Sequence, residues 1–246
     1  ANIQMSYDIE LLPLNGFGVR VDELVKEGAK GFNVTVPFKG DAFTKVTEAD
    51  NNATISMAVN TIKVDDDFKL HGFNTDGIGL VRDLEDRLGV GLANSNILIL
   101  GAGGAARGII GPLFECLPSR MVIANRTVET AQKLVLHFKA LDQTLPLDWV
   151  SFDSIASGFD LIINTTSIGL EGKFDLLEAD IVKNKICYDL SYGANAHFVS
   201  WARSFGAASA ADGLGMLVEQ AAESFFIWHG KRPETQPVIE ALRAPN

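Results

Sequence analysis

The sequence predicts an α/β protein of two domains, and three observations carry that expectation. Apolar runs of strand length alternate with amphipathic helical patterns, and the central part repeats the strand-helix-strand order of a parallel sheet. The 246 residues, 47% of them hydrophobic, suffice for a core in each of two medium domains. Lysine and arginine number 21 against 31 acidic residues, a net charge of −10. That sign excludes gripping nucleic acid or an anionic membrane by bulk charge, so any anionic ligand must be held by local groups. Cys116 and Cys187 are too few for a disulfide framework and lack zinc spacing, and the four scattered histidines suggest no metal. No run approaches the roughly 18 apolar residues of a membrane span, and the first residues lack a basic region followed by an apolar one. The expectation is a soluble, cytoplasmic protein with neither nucleic-acid nor membrane partners.

Taken in order, residues 5–14 form an apolar run of strand length, 21–29 an amphipathic stretch, and 31–37 a second strand. In that strand the two-residue period puts Val34 and Val36 on a core face and Asn33 and Thr35 on a polar one. Lys39 follows at the strand end or a helix start, where a lone lysine is more often a solvated charge than a catalyst. Residues 58–64 and 68–73 flank Asp65-Asp66-Asp67 and read as a hairpin, with Asn60 and Thr61 in its first strand. Asn74-Thr75-Asp76-Gly77 ends the second strand. Capping alone would account for Asp76 there, while a lysine and an aspartate brought together could hold an oxygen and move a proton. Ile78, Val81, Leu84 and Leu88 then fall at near-helical spacing before Gly89.

The next block is the most regular: strand 96–100, a glycine-rich turn and helix, strand 121–124, helix 128–141 and strand 160–163. Strands at 185–190 and about 207–210 precede a long helix, 214–229, closed by Gly230. Gly101-Ala102-Gly103-Gly104-Ala105-Ala106 lies between a strand and a helix, the context that makes G-x-G-x-x-A informative. Its first glycine permits the tight turn, the second lets pyrophosphate approach the backbone, and the N–H groups and dipole of the helix start favour phosphate. Where an NAD site would carry an acid after the second strand, this chain has Asn125-Arg126-Thr127. A guanidinium there suits a 2′-phosphate, pointing to NADP over NAD.

Together, Asn33-Val34-Thr35-Val36-Pro37-Phe38-Lys39, Ala58-Val59-Asn60-Thr61, Asn74-Thr75-Asp76-Gly77, the glycine turn, Asn125-Arg126-Thr127, Asn164-Thr165-Thr166-Ser167-Ile168-Gly169 and the run from Asp212 to Gln220 resemble the shikimate dehydrogenase family. The resemblance covers nearly the whole chain. It implies NADPH-dependent reduction of 3-dehydroshikimate to shikimate, within chorismate and aromatic amino acid biosynthesis. It also implies a catalytic α/β domain, 1–76 plus 213–246, and a Rossmann-type doubly wound dinucleotide-binding domain, 77–212. Lys39 becomes the catalytic acid/base and Asp76 its partner, with Asn33, Thr35, Asn60, Tyr192 and Gln220 on the substrate. The cofactor falls to Gly101, Ala102, Gly103, Gly104 and Ala105, to Asn125, Arg126 and Thr127, to Thr165, Thr166 and Ser167, and to Leu190 and Gly213. A monomer or homodimer is implied.

Three departures from the family pattern stand out. A leading strand and helix with a Ser-x-Ser motif for the substrate carboxylate does not precede Asn2. Thr130 stands where a second arginine is expected, which would soften NADP selectivity. Residues 193–198 lack the usual Thr-Pro. A quinate/shikimate dehydrogenase with relaxed cofactor choice and a non-catalytic NADP-binding module are the competing readings; Arg126 argues against the first, and the pairing of Lys39 with Asp76 against the second.

Overall fold

The computed structural model describes residues 3–166, 174 and 177–244. The chain divides into two compact units, Ala1–Asp76 with Val218–Asn246, and Gly77–Leu217. The first unit runs α1 (Phe17–Lys26), β1 (Gly31–Asn33), α2 (Lys39–Lys45), β2 (Glu48–Ala49), α3 (Asn51–Ser56), β3 (Thr61–Val64) and β4 (Leu70–Phe73). Its four strands lie in the order β1-β3-β4-β2. β3 is antiparallel to both β1 and β4, and β2 is parallel to β4, so the sheet is mixed. The hairpin between β3 and β4 closes through Asp65, whose carboxylate accepts the N–H groups of Asp67 and Lys69 at 2.9 and 2.8 Å. Phe17, Val21, Val34, Val59, Ile62 and Leu70 are among the side chains that fill the core under this sheet.

Helix α4 (Asp76–Arg82) carries the chain into the second unit and widens into one π turn, Asp83–Arg87. There follow β5 (Asn96–Leu100), α5 (Gly104–Glu115), β6 (Arg120–Ala124), α6 (Val128–Leu141), β7 (Leu147–Val150), β8 (Leu161–Asn164), β9 (Ile186–Asp189), α7 (His197–Ser204) and β10 (Ser209–Asp212). All six strands are parallel, in the order β10-β9-β8-β5-β6-β7. The central strands Ile97–Leu100 and Leu161–Asn164 are buried at every position, as a sheet covered on both faces requires. Chain order reverses between β5 and β8, so the loops after these two strands stand at the switch point of a doubly wound sheet. Helix α8 (Leu214–His229) returns the chain to the first unit, the division falling after Leu217, and α9 (Gln236–Arg243) ends it. Gly230 at φ +67° stops α8. Near that end the Trp228 indole donates to the Ile62 carbonyl at 2.9 Å, and it lies so close to β1 that a Cβ on Gly31 would overlap it. Among the described residues no helix is long and apolar enough to cross a membrane.

Two expectations are corrected. Residues 5–14 form no strand: the segment makes no ladder, Ile9 and Leu11 are 93% and 99% exposed, and the interleaved Glu10 pairs with Arg20 at 2.7 Å. The alternation of apolar and polar residues there has no sheet edge to bind it. The period of two places Val36 on a core face with Val34, yet Val34 is buried and Val36 is 79% exposed. β1 ends at Asn33, so the period-2 rule no longer applies two residues on. Strand β7 and helices α7 and α9 had no sequence counterpart.

The ends of β8 and β9 hold a buried polar pair. Asn164 and Asp189 are register partners, and Asn164 donates to the Asp189 carboxylate at 3.1 Å while its own oxygen accepts the Thr166 N–H and hydroxyl at 3.1 and 2.7 Å. Burial pushes the Asp189 carboxyl up to about 6, against the opposing hydrogen bonds from Ser191, Asn164 and Phe198. Its folded-state pKa thus lies above its unfolded value. The carboxyl contributes stability that is fully present below about pH 4 and is lost as pH rises through about 6. Asp189→Asn should remove a decline on the order of 1–3 kcal/mol across that window. Urea unfolding of both proteins from about pH 4.5 to 7.5 checks this; superimposable pH profiles would refute the assignment.

Candidate active site

Helix α2 opens at Lys39 and α4 at Asp76, and the two side chains meet: Lys39 Nζ lies 2.5 Å from Asp76 Oδ2. The other carboxylate oxygen, Oδ1, accepts from Asn60 Nδ2 at 2.8 Å. Both partners are mostly sheltered, the side chains being 27% and 14% exposed. The capping role open to Asp76 is filled otherwise. Asn74 Oδ1 accepts the Asp76 N–H at 3.1 Å, while Asn74 Nδ2 ties back to Ser56 Oγ and the Ala58 carbonyl at 2.9 and 3.0 Å. The segment is therefore anchored by Asn74, and the Asp76 carboxylate turns to Lys39 and Asn60.

Asn60 is 3% exposed and is the hub of a buried network. Its Oδ1 accepts the Thr75 N–H and the Thr61 hydroxyl, each at 3.0 Å, and its Nδ2 lies 3.3 Å from Gln220 Oε1. Thr61 Oγ1 meets Ser224 Oγ at 2.7 Å, and Asn33 Nδ2 reaches both hydroxyls, at 3.3 and 3.1 Å. Tyr7 donates to Asn33 Oδ1 at 2.9 Å. Lys39, Asp76, Asn60, Gln220 and Asn33 thus join one set of hydrogen bonds, whereas Thr35 is exposed in the turn after β1, its carbonyl accepting from Phe38 N–H. Thr75 and Ser224 went unassigned at the level of sequence. Ser224 had a signal: it falls four residues after Gln220, which puts both on one face of α8.

In the second unit the glycine turn follows β5. Gly101 has φ +103°, and a Cβ there would lie 2.6 Å from Thr165 Oγ1 and 2.7 Å from Thr166 Cγ2, so glycine is required where the two switch-point loops touch. Gly103, Gly104 and Ala105 are exposed, Ala102 is half-buried, and Ala106 packs inward. A Cβ on Gly103 or Gly104 would meet nothing, and no side chain caps the twelve-residue helix α5. Among the described residues no packing contact requires glycine at these two positions, and such bare backbone is what a phosphate-bearing ligand can approach. At the end of the neighbouring β6, Asn125 Nδ2 donates to the Thr127 carbonyl at 2.9 Å, and Arg126 and Thr127 are exposed before α6. Thr165 Oγ1 donates to the Leu100 carbonyl at 2.8 Å. Gly213 donates to the Ser191 carbonyl at 2.9 Å and packs against Leu190, where a Cβ would overlap the backbone. Tyr192 is 47% exposed just after β9. Ser167 lies outside the described residues. A free helix start, open glycine backbone and a nearby guanidinium fit a phosphate-bearing dinucleotide.

Known proteins resemble the chain over nearly all of its length. Three family profiles match: "Shikimate dehydrogenase substrate binding domain" over residues 1–62, "Shikimate / quinate 5-dehydrogenase" over 83–170, and "Shikimate 5'-dehydrogenase C-terminal domain" over 213–243. The shikimate dehydrogenase (NADP(+)) of Thioalkalivibrio sulfidiphilus is 47% identical over 242 residues, 97% of this chain and 88% of that relative. Among solved structures, an Ael1 enzyme from Pseudomonas putida has a TM-score of 0.87 at 39% identity, with 95% of this chain and 85% of that one covered. Shikimate 5-dehydrogenase from Thermus thermophilus, solved in complex with NADP(H) and shikimate, has a TM-score of 0.79 at 29% identity, covering 94% and 85%. With matches along nearly its full length, the chain belongs to the NADP+-dependent shikimate dehydrogenase family.

Proposed function

We propose that the protein reduces the C3 carbonyl of 3-dehydroshikimate to the hydroxyl of shikimate with NADPH, the first unit binding the substrate and the second the cofactor. The observation that carries this reading is the sheltered Lys39–Asp76 pair at two helix starts, 2.5 Å apart and fixed by Asn60. NADPH, when bound, supplies the hydride. Lys39 donates its proton to the carbonyl oxygen as that oxygen gains charge, and its ammonium stabilises the developing alkoxide. Asp76 holds the ammonium in place, and solvent returns the proton once product leaves. Asn60 and Gln220, joined to the same network, are suited to the substrate's ring hydroxyls, and so are Asn33 at the end of β1 and Thr35 in the turn after it. Tyr192 is assigned to the substrate as well.

For the cofactor, the start of α5 from Gly101 to Ala105 takes the pyrophosphate. Asn125, Arg126 and Thr127 take the adenosine ribose and its 2′-phosphate, and Thr165, Thr166 and Ser167 line the loop beside it. The backbone at Leu190 and Gly213 takes the nicotinamide. The net charge of −10 and two unpaired cysteines support a cytoplasmic enzyme of small molecules, a monomer or homodimer that binds neither nucleic acid nor membrane.

Lys39→Ala should lower kcat for NADP+-dependent shikimate oxidation by about 10²–10⁴-fold, with the NADP+ dissociation constant nearly unchanged; Asp76→Asn should follow the same pattern more weakly. Absorbance assays with calorimetric NADP+ titration check both, and a Lys39→Ala enzyme of near-normal kcat removes Lys39 from the chemistry. Arg126→Glu should cost NADPH about 1.5–3 kcal/mol of binding through the lost charge-assisted contact, with NADH little affected. Steady-state comparison of the two cofactors measures it, and an unchanged preference would place the 2′-phosphate elsewhere.

A further inference from the structure

We propose that the cluster of Asp83, Arg87 and Tyr188 positions the first turn of α8 and the Leu190–Gly213 backbone for hydride transfer, an inference that rests on the function proposed above. Asp83 is fully buried at the start of the π turn that ends α4, a helical irregularity that recurs at functional sites. Both its oxygens are engaged. Arg87 grips the carboxylate through Nε and, at 3.0 Å, through Nη2, while Tyr188 donates its hydroxyl to Oδ2 at 2.6 Å. Tyr188, on β9, is itself fully buried, and its oxygen accepts the N–H of Met216 in the first turn of α8. Burial, with the Asp83 carboxylate beside it, pushes the phenol well above its usual range, so it remains a donor.

The cluster accounts for glycines that the dinucleotide motif does not. A Cβ on Gly215 would overlap the Asp83 carboxylate, so only glycine lets α8 begin so close to it. Gly213, two residues earlier, lies on the Leu190 carbonyl and donates to Ser191 at 2.9 Å. Leu190 is two residues beyond Tyr188 on the same strand run. The stretch Asp212-Gly213-Leu214-Gly215-Met216 is therefore seated at three successive points: Leu190 with Ser191, Asp83, and Tyr188. A buried ion pair is a poor source of net stability, since well-packed apolar residues often serve as well. What it supplies here is directional register. A hydride donor held against Leu190 and Gly213 inherits that register, and small misplacements in such sites cost large factors in rate.

Tyr188→Phe removes the hydroxyl while keeping the ring. Relative to the unaltered protein it should speed amide exchange of residues 213–217, read by mass spectrometry, about 10-fold or more for a hydrogen bond lost. It should also lower kcat by about 10–100-fold and raise the primary deuterium isotope effect with 4-deuterated NADPH, with the KM for NADP+ nearly unchanged. Gly215→Ala, which presses a methyl on Asp83, should give the same pattern and serves if Tyr188→Phe does not fold. Val135→Ala is the control: it trims a fully buried side chain of α6, which packs on β6 and β7, across the sheet from β9. Unaltered exchange at 213–217, or a loss of kcat no greater than that of Val135→Ala with an unchanged isotope effect, makes the cluster merely structural and overturns the proposal. No turnover by the unaltered protein would instead overturn the function it rests on, while the exchange data would still report whether the cluster holds the turn.

Discussion

The Asp76 carboxylate divides its two oxygens between an ammonium and an amide, and much of the first unit is arranged around that division. One oxygen faces Lys39 and the other Asn60. Neither contact would form were the carboxylate spent on its own helix start, as an aspartate there ordinarily is. Asn74 takes over that task, and its amide is in turn secured by Ser56 and Ala58 at the end of α3. A short helix with little core of its own thus serves to keep one carboxylate available. The hub at Asn60 extends the same logic to β1: buried Thr61 and Ser224 pair with each other, and the exposed Asn33 donates to both.

At its glycine turn the second unit works by close backbone approach. Gly101 permits two loops to touch at the switch point, whereas Gly103 and Gly104 have no described residue against them. The first is demanded by the fold; the other two leave backbone that a ligand can approach. Gly213 and Gly215 belong to the first kind, each pressed on a fixed partner, Leu190 and Asp83.

The glycine turn and Arg126 stand out in the sequence because each follows a strand whose apolar run is plain, whereas Lys39, Asn60 and Asp76 stand out through short polar motifs that resemble those of the family. The hairpin, the parallel strands β5, β6, β8 and β9, and helix α8 are legible from their apolar runs and turn residues. What escaped depends on distant partners. Ser224 acquires meaning only when α8 meets β3, and Asp83 looks like one charge among several until Tyr188 and Gly215 close on it. Residues 5–14 mislead in the opposite sense, since alternation predicts a strand but only a neighbouring edge can make one. β7 was hidden by its position at the sheet's border, where Asp148 faces out and the pattern is broken. Val36 failed because a three-residue strand ends before its rule can reach that far.

The discontinuity of the first unit has a consequence for synthesis. Its sheet emerges from the ribosome with the opening third of the chain, but Ser224 and Trp228, which satisfy Thr61 and Ile62 and lie against Gly31, arrive only after the whole of Gly77–Leu217. At typical elongation rates that interval is about 10–30 s, long compared with the folding of the central parallel domain's helices and hairpin-scale contacts. The nascent β1–β4 sheet must therefore wait with its polar hub incompletely paired while the second unit gathers behind it. The final helix is the keystone of the order of assembly: until it emerges, the four strands of the first unit lack Ser224 and Trp228 as partners.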